Sequence, residues 1–138
     1  MPVIRTLAAC MMAVAAQYHL PPLALPAIHA VEGGRVGAVV ADRNGSFDLG
    51  YMQINSLWVP ALARVTGWPR AVVFRDLARA PCFNIAAAGA ILRLYIDQAH
   101  GNVLAALGDY HSHTPLRHAR YLHRVLRAAM RLRAGIAP

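Results

Sequence analysis

Glu32 is the residue of this chain that most clearly suggests chemistry. It is the only glutamate among 138 residues, and the other five acids are aspartates. It follows the apolar Ala30-Val31, whereas helical proteins usually scatter glutamate over solvent faces as a good helix former. Apolar surroundings disfavour the charged form of a carboxyl group and raise its pKa. Such a group could protonate a leaving oxygen, as glycosidic bond cleavage requires. The alternative is a structural glutamate that accepts hydrogen bonds from the loop after its helix.

A second polar segment runs from Gly50 to Asn55. Its glycine permits a tight turn, and Gln53 and Asn55 offer donor and acceptor groups suited to sugar amides and hydroxyls. Taken alone, the segment is only a polar loop. Asp48 is a nearby carboxylate that could act as a base in hydrolysis, although stabilisation of a turn is its commoner role.

The cluster Asp109, His111, Ser112 and His113 resembles the parts of a triad or a metal site. A triad is assembled by geometry across a fold, so adjacency in sequence gives it no support. Two histidines two residues apart would suit a metal on a strand, whereas this segment ends a predicted helix. We therefore predict no metal site and no cofactor.

The elements that must position these residues are helical. No β-alternation of any length appears, and proline, glycine and capping residues divide the chain into short helices. Glu32 is expected in the last turn of the second helix, which stops at Gly33-Gly34. The predicted helices are Thr6–His19, one from Pro21-Pro22 to Glu32, one capped by Ser56 and ending at Gly67, a shorter one after Pro69, a central one from Ile85 to His100 capped by Asn84, a short one capped by Asn102, and a last one after Pro115.

Residues 35–55 read as a loop, with Asn44-Gly45 favouring a tight turn. The fold class is therefore all-α, with at most a short irregular β-hairpin. The chain has the length of one ordinary domain, so we expect a single domain over residues 1–138. Gly89, in the central helix, is suited to close contact with another helix.

The last helix carries two stripes, as expected for a helix packed on a core with its cations in solvent. We expect His118 and His123 to be solvated near the basic stripe. The apolar stripe is Leu122, Val125, Leu126, Ala129 and Leu132, and the basic stripe is Arg117, Arg120, Arg124, Arg127 and Arg131.

The composition is strongly basic: fourteen arginines and no lysine oppose six acids, which gives a net charge of +8. That balance attracts polyanions of any kind. A nucleic-acid binder would leave the lone glutamate unexplained, so no nucleic-acid partner is predicted. No apolar run reaches the roughly 18 to 20 residues of a membrane-spanning helix, so no stable membrane insertion is expected either.

The N-terminal apolar stretch allows two interpretations, a short signal peptide or a first helix that belongs to the fold. We favour the helix because the pattern continues smoothly into Gln17-Tyr18. Cys10 and Cys82 likewise leave two possibilities, a disulfide in an oxidising compartment or two buried thiols.

Together, these segments resemble the soluble-lytic-transglycosylase domain, which is related to goose-type lysozyme, over nearly the whole chain. The likeness is greatest to small members that accompany conjugation and secretion systems. The segments that carry it are Ala30–Gly34, Asn44–Ser56 with Trp58, Pro81–Ile85, Tyr110–Ser112 with Thr114-Pro115, and Tyr121.

The resemblance implies that Glu32 is the single catalytic acid and base. It would protonate the glycosidic oxygen between N-acetylmuramic acid and N-acetylglucosamine, and its carboxylate would then help the muramoyl C6 hydroxyl attack C1, giving a 1,6-anhydro sugar. Asn55 occupies a position where related hydrolytic lysozymes can carry aspartate, which favours this reaction over hydrolysis. The residues expected to bind the glycan are Ser46, Met52, Gln53, Asn55, Tyr110, whose equivalent approaches the glutamate, and Tyr121.

Three positions depart from the family pattern. The residue after the glutamate is usually serine and here is Gly33. The family usually has leucine before the methionine, and here that residue is Tyr51, which could narrow the groove or stack on a sugar. The usual Tyr-Asn-Ala-Gly is replaced by Tyr110–His113, a variant similar to the secretion-associated branch.

The resemblance also implies a Cys10–Cys82 disulfide and, with it, a periplasmic location. The partners would be peptidoglycan strands and components of a secretion or conjugation machine, with the enzyme itself a monomer. Two alternatives stay open, namely a hydrolytic muramidase and a non-catalytic peptidoglycan-binding module.

Overall fold

The computed structural model describes the backbone of residues 2–138 and the side chains from Leu7 onward. Helices dominate this part of the chain, and three short strands with one 3-10 turn lie between the second and third helix. The helices are α1 (Pro2–Gln17), α2 (Ala24–Glu32), α3 (Val59–Thr66), α4 (Arg70–Arg79), α5 (Pro81–Gln98), α6 (Val103–His111) and α7 (Pro115–Arg133). The strands are β1 (Val39–Ala41), β2 (Phe47–Leu49) and β3 (Ile54–Asn55), and the turn is Ser56–Trp58. The predicted fold class is confirmed.

The sheet is slightly larger than the predicted hairpin. Its order is β1-β2-β3, and both neighbouring pairs are antiparallel. The β1–β2 pair is the hairpin expected around Asn44-Gly45, and Gly45 has a positive φ of 82° in its turn. The added strand β3 aligns Asn55 with Asp48 and Ile54 with Leu49. A two-residue strand is too short to produce an alternation that sequence patterns can reveal.

Four predicted helix starts are wrong by a few residues. Helix α1 begins at Pro2 rather than Thr6, and α2 begins at Ala24 rather than at Pro21-Pro22. The central helix α5 begins at Pro81, because proline is tolerated in the first turn, where its missing N–H would have no intrahelical partner. Asn84 therefore lies inside the first turn and is not a cap. Asn55, rather than Ser56, caps the 3-10 turn: its Oδ1 accepts a hydrogen bond from the Leu57 amide at 2.9 Å. The predicted stop at Gly67 and the Asn102 cap are both confirmed.

The chain falls into two compact units. One comprises the segment up to Met11 together with Glu32–Ala88, and the other comprises Met12–Val31 together with Gly89–Pro138. A single domain over residues 1–138 stays a prediction. Within the first unit, a set of large apolar side chains is fully buried, and it joins the sheet to α4 and the start of α5. This set is Leu49, Met52, Val73, Leu77 and Ile85.

In the second unit the core is formed by α2, α6 and α7 together with the second parts of α1 and α5. Its most deeply buried members are Leu25, Ile28, Leu92, Ala106 and Val125. The expected close contact at Gly89 is confirmed: a Cβ atom there would collide with the Val14 side chain and lie 3.1 Å from the Tyr18 ring.

The two stripes of α7 are confirmed in outline. Tyr121, Val125 and Ala128 are buried, whereas the five arginines of the basic stripe are exposed. The apolar Leu122, Leu126, Ala129 and Leu132 are half-buried.

A membrane-spanning helix is not found in the described part of the chain. No single helix there is long and apolar enough to cross, and only the bent pair α4 and α5 passes that criterion when the two are joined.

Candidate active site

Glu32 is the last residue of α2, as predicted. The helix ends there because Gly33 has a positive φ of 66°, a conformation that glycine adopts without steric cost. The side chain is half-buried. At this place the carbonyl end of the helix dipole disfavours a negative charge. A general acid must hold a proton before it donates it, so the place at this helix end is compatible with that role.

Gly34 places the segment after Glu32 against the turn at residues 50–53. A Cβ atom at this position would lie 2.5 Å from the Tyr51 carbonyl oxygen and 2.8 Å from Cγ of Gln53, and it would also collide with the Gly50 carbonyl. Only glycine fits so close an approach. The Gly33-Gly34 pair thus has two separate roles: the first glycine ends the helix and the second lets two backbones touch.

The turn at residues 50–53 has its own internal hydrogen bonds. The Gln53 backbone amide donates to the Gly50 carbonyl at 3.2 Å, and Nε2 of Gln53 donates to the same oxygen at 3.0 Å. Gln53 has a positive φ of 54°, which is uncommon for a residue with a side chain. Its side chain is half-buried, and its binding of a glycan stays a prediction.

Met52 differs from its expected position on the glycan groove. Its side chain is fully buried in the core beside the sheet. In this structure its side chain therefore packs the core, and the backbone is what residue 52 can present to a ligand.

Ser46 and Asn55 belong to a hydrogen-bonded network with neighbouring acids. Nδ2 of Asn55 lies 2.9 Å from Oγ of Ser46 and 3.0 Å from a carboxylate oxygen of both Asp42 and Asp48. Ser46 is buried, and its Oγ donates to the Asn44 side chain. Asp48 lies opposite Asn55 in the sheet and accepts a hydrogen bond from its side chain, which supports a stabilising role for this carboxylate. Glycan binding by Ser46 and Asn55 stays a prediction.

Asn84 is the residue of this site that the sequence interpretation missed. Its side chain has no exposed surface. Nδ2 donates to the carbonyls of Leu49 and Leu77 at 2.8 Å each, and Oδ1 accepts from the Met52 amide at 2.6 Å. One side chain thereby joins β2, the 50–53 turn and the end of α4. A polar residue within the apolar first turn of a helix was the available signal, and it resembles a cap when read from sequence alone.

The predicted disulfide is present. Cys10 of α1 and Cys82 of α5 are bonded across 72 positions of the chain, with 5.5 Å between their Cα atoms. The bond therefore fixes the start of α5, two residues before Asn84.

In the second unit, the two predicted tyrosines lie together. The rings of Tyr110 and Tyr121 are nearly parallel, with centroids 6.4 Å apart, and His111 stacks on Tyr121 at 4.7 Å. Tyr95 meets Tyr110 edge to face at 6.3 Å. Tyr121 forms the buried side of this aromatic cluster, and His111 forms its exposed side.

The Asp109 cluster has one member that the sequence interpretation misplaced. His118 is not solvated: its ring packs against Gly108, which leaves room by having no Cβ, and Nδ1 lies 3.0 Å from Oδ1 of Asp109. Nε2 of His113 lies 3.8 Å from the same carboxylate. His123 is exposed, as predicted. Among the described residues, no group of three or more such side chains is placed to hold a metal ion.

Two tyrosines beside these clusters have perturbed acidity. Burial raises the pKa of Tyr51 above its ordinary value. Burial also raises the pKa of Tyr95, and the negative charge of Asp109 adds to this effect. Both phenols are therefore neutral hydrogen-bonding groups well into the alkaline range.

The architecture places the protein in the lysozyme-like class: a mainly helical fold in which a glutamate ends a helix just before a small antiparallel sheet. Residues 9–125 match the family model described as the transglycosylase SLT domain, so the chain belongs to that family. No curated protein matches the chain. Membership supports action on peptidoglycan of the lytic-transglycosylase type.

Proposed function

We propose that the protein is a peptidoglycan lytic transglycosylase that cleaves the bond between N-acetylmuramic acid and N-acetylglucosamine without water. One observation carries the proposal beyond the family: the only glutamate of the chain ends α2, half-buried, two residues before Gly34, which packs against the turn at residues 50–53. A protonated carboxyl at that point is suited to donate to a glycosidic oxygen.

The proposed reaction uses this one carboxyl group twice. Glu32 gives its proton to the glycosidic oxygen as the bond to C1 of the muramoyl residue breaks. The carboxylate then takes the proton of the C6 hydroxyl while that oxygen bonds to C1, so the 1,6-anhydro ring closes and Glu32 is protonated again. No water is consumed, which distinguishes the products from those of hydrolysis.

The arrangement of Asp48 supports this route over hydrolysis. A hydrolytic enzyme of the inverting type needs a second carboxylate to activate water. Asp42 and Asp48 are the aspartates that follow Glu32 most closely in the sequence, but each accepts a hydrogen bond from the Asn55 side chain. At position 55 itself the chain carries an amide, which cannot act as a base. A hydrolytic muramidase is the second candidate function, and it would rely on Asp48.

Digestion of purified sacculi tests the proposal. Wild-type protein should release anhydro-muropeptides, which are lighter by one water than hydrolytic products in a mass spectrum. Glu32→Gln should abolish release while retaining binding to sacculi. Asp48→Asn is the matched control, because it also neutralises one carboxylate of the same unit, and it should leave the product type unchanged.

The results separate the candidates clearly. Products with a free reducing end that disappear in Asp48→Asn would indicate a muramidase. Binding without release by wild-type protein would indicate a non-catalytic module. Release that persists in Glu32→Gln would remove Glu32 from the mechanism.

The location and partners form part of the same proposal. A periplasmic setting is supported by the disulfide, since such bonds persist in oxidising compartments. Service to an envelope-spanning secretion or conjugation machine, by a monomeric enzyme, rests on the resemblance to that branch of the family. Fractionation of cells that express the protein tests the location directly, and recovery in the cytosolic fraction would contradict it.

A further inference from the structure

Asp109 and His118 form a polar pair that joins the end of α6 to the start of α7. Nδ1 of His118 lies 3.0 Å from Oδ1 of Asp109, and the imidazole donates this hydrogen bond because a carboxylate oxygen only accepts. The side chains of His118 and Asp109 are 24% and 21% exposed, so the bond is largely shielded from water. The proposed reaction assigns no role to either residue.

The rest of the His118 ring is covered by α6. A Cβ atom at residue 108 would collide with Nε2, Cε1 and Cδ2 of this ring, so the imidazole lies directly on the Gly108 backbone. Nε2 therefore faces α6 rather than a substrate, which argues against His118 as a general base. Its place instead fits a residue that fixes one helix against another.

The partners of Asp109 are histidines, although arginines are far more numerous in this part of the chain. Asp109 is the last acid of the sequence, and residues 110–138 contain six arginines. Its carboxylate nevertheless pairs with His118 through Oδ1 and lies 3.8 Å from Nε2 of His113 through Oδ2. One carboxylate of α6 is thus held both by α7 and by the connection that leads to α7.

The pair lies one helical turn before an aromatic cluster on both helices. The rings of this aromatic cluster are those of Tyr95, Tyr110, His111 and Tyr121. Gly108 contacts His118, and three residues later on each helix His111 stacks on Tyr121. Residues three apart on a helix are neighbours on one face. A shift of α7 at His118 therefore also displaces the Tyr121 ring, on which the nearly parallel ring of Tyr110 depends.

A directional bond matters here because the buried contacts of these two helices are mainly apolar, Leu107 of α6 and Val125 of α7 among them. The hydrophobic effect is non-directional, so it stabilises neighbouring positions of two helices almost equally. A hydrogen bond, by contrast, weakens steeply as its angle departs from linear. The bond between Asp109 and His118 thus selects one position among those that the apolar core allows.

We propose that Asp109 and His118 are positioning residues, which hold the aromatic cluster in the arrangement that binds the glycan. They act through Tyr110 and do not touch the sugar themselves. The inference rests on the proposed function, because it takes Tyr110 as a residue that binds the glycan. Loss of the pair should therefore lower the affinity for the glycan in a protein that is still folded.

Two substitutions of His118 separate the hydrogen bond from the packing of the ring. His118→Asn keeps a donor near the place of Nδ1 but removes the ring, whereas His118→Phe keeps a ring against Gly108 and removes the donor. Both are made in the Glu32→Gln background, so that binding is measured without cleavage. The ligand is a soluble tetrasaccharide of alternating N-acetylglucosamine and N-acetylmuramic acid. Calorimetry should show about tenfold weaker binding for His118→Phe, the effect of one lost hydrogen bond, and a much smaller loss for His118→Asn.

Two further variants serve as controls. His123→Phe makes the same change at an exposed histidine of the same helix and should leave the affinity unchanged. Asp109→Ala should weaken binding as much as His118→Phe, and the double variant should bind no more weakly than either, because both changes break the same bond. Melting curves by circular dichroism verify that each variant is folded before its affinity is compared.

The arrangement of the aromatic cluster is measured separately, without any glycan. The His111 ring stacks on Tyr121, so the ring current of the tyrosine shifts the NMR signals of this histidine upfield. Protein labelled with ¹³C-histidine shows these signals, and their loss in His111→Gln assigns them. The upfield shift should decrease in His118→Phe and persist in His118→Asn and in His123→Phe.

Three results would overturn the inference. These are a larger loss of affinity in His118→Asn than in His118→Phe, a weakened affinity in His118→Phe with unmoved His111 signals, and moved signals with an unchanged affinity. The first result would indicate that the ring acts by packing alone. If the Glu32→Gln parent failed to bind the tetrasaccharide, the proposed function would be contradicted and the role in glycan binding with it. Unmoved signals in His118→Phe, with a parent that binds, would contradict the inference alone.

Discussion

Replacing Asn84 by leucine should destabilise the protein far more than a usual polar substitution. The change removes three hydrogen bonds and leaves the Met52 amide and the carbonyls of Leu49 and Leu77 without their partner in a buried region. Each buried polar group left unsatisfied costs about 1 to 3 kcal/mol. Since carbonyl groups tolerate this better than an amide, we expect a loss of about 3 to 5 kcal/mol in the free energy of unfolding.

Urea unfolding followed by circular dichroism measures this loss. Asn102→Ala is the control, because it removes an asparagine that caps α6 at the surface and should cost about 1 kcal/mol. Hydrogen exchange gives a local readout: the Met52 amide should lose its protection in Asn84→Leu.

The activity of the same variant links stability to the site. The turn held by Asn84 contacts Gly34, two residues after Glu32, so sacculus cleavage should fall even where the variant is fully folded. A cost no larger than that of Asn102→Ala, with cleavage unchanged, would refute the reasoning that Asn84 holds the turn.

Three further predictions concern neighbouring features. Reduction of the Cys10–Cys82 bond, or the double change to alanine, should lower the free energy of unfolding by about 4 kcal/mol, since the bond closes a loop of about seventy residues. Thermal melts with and without a reductant measure this loss, and an unchanged melting temperature would contradict it. Gly34→Ala should abolish cleavage and lower the melting temperature, because the added Cβ would collide with backbone oxygens. Gly33→Ala adds a Cβ in open space and should cost only about 1 kcal/mol, because of the positive φ at that position. Equal melting temperatures for the two variants would contradict the close approach at Gly34. Because burial raises the pKa of Tyr51, this residue contributes stability below about pH 10 that is lost as the pH rises towards the folded-state pKa. Tyr51→Phe should therefore reduce the loss of stability at alkaline pH. An unchanged dependence of the free energy of unfolding on pH between 9 and 11.5 would contradict this.

Much of the fold follows from local signals in the sequence. Gly33 and Gly67 end helices because both adopt a positive φ, and Asn102 caps α6 through its side chain. These effects act over a few residues, so spacing and residue type suffice to predict them. The placement of Glu32 at the end of α2 is predictable for the same reason.

The remaining features depend on contacts distant in sequence. Asn84 bonds to residues 32 and 35 positions away, which no local pattern can reveal. The residues around Met52 in the sequence predict a polar loop, yet its side chain is buried because the turn is held against α4 and α5. His118 reads as one more polar residue on a basic helix, but Gly108 leaves a space that its ring fills.

The basic surface of α7 has a consequence for how the protein can be handled and labelled. Because the chain has fourteen arginines and no lysine, it offers no lysine amine for acylating dyes, cross-linkers or immobilisation reagents to attack. Guanidinium groups do not deprotonate below about pH 12, so the charge of this face stays constant where a lysine-rich one would decline.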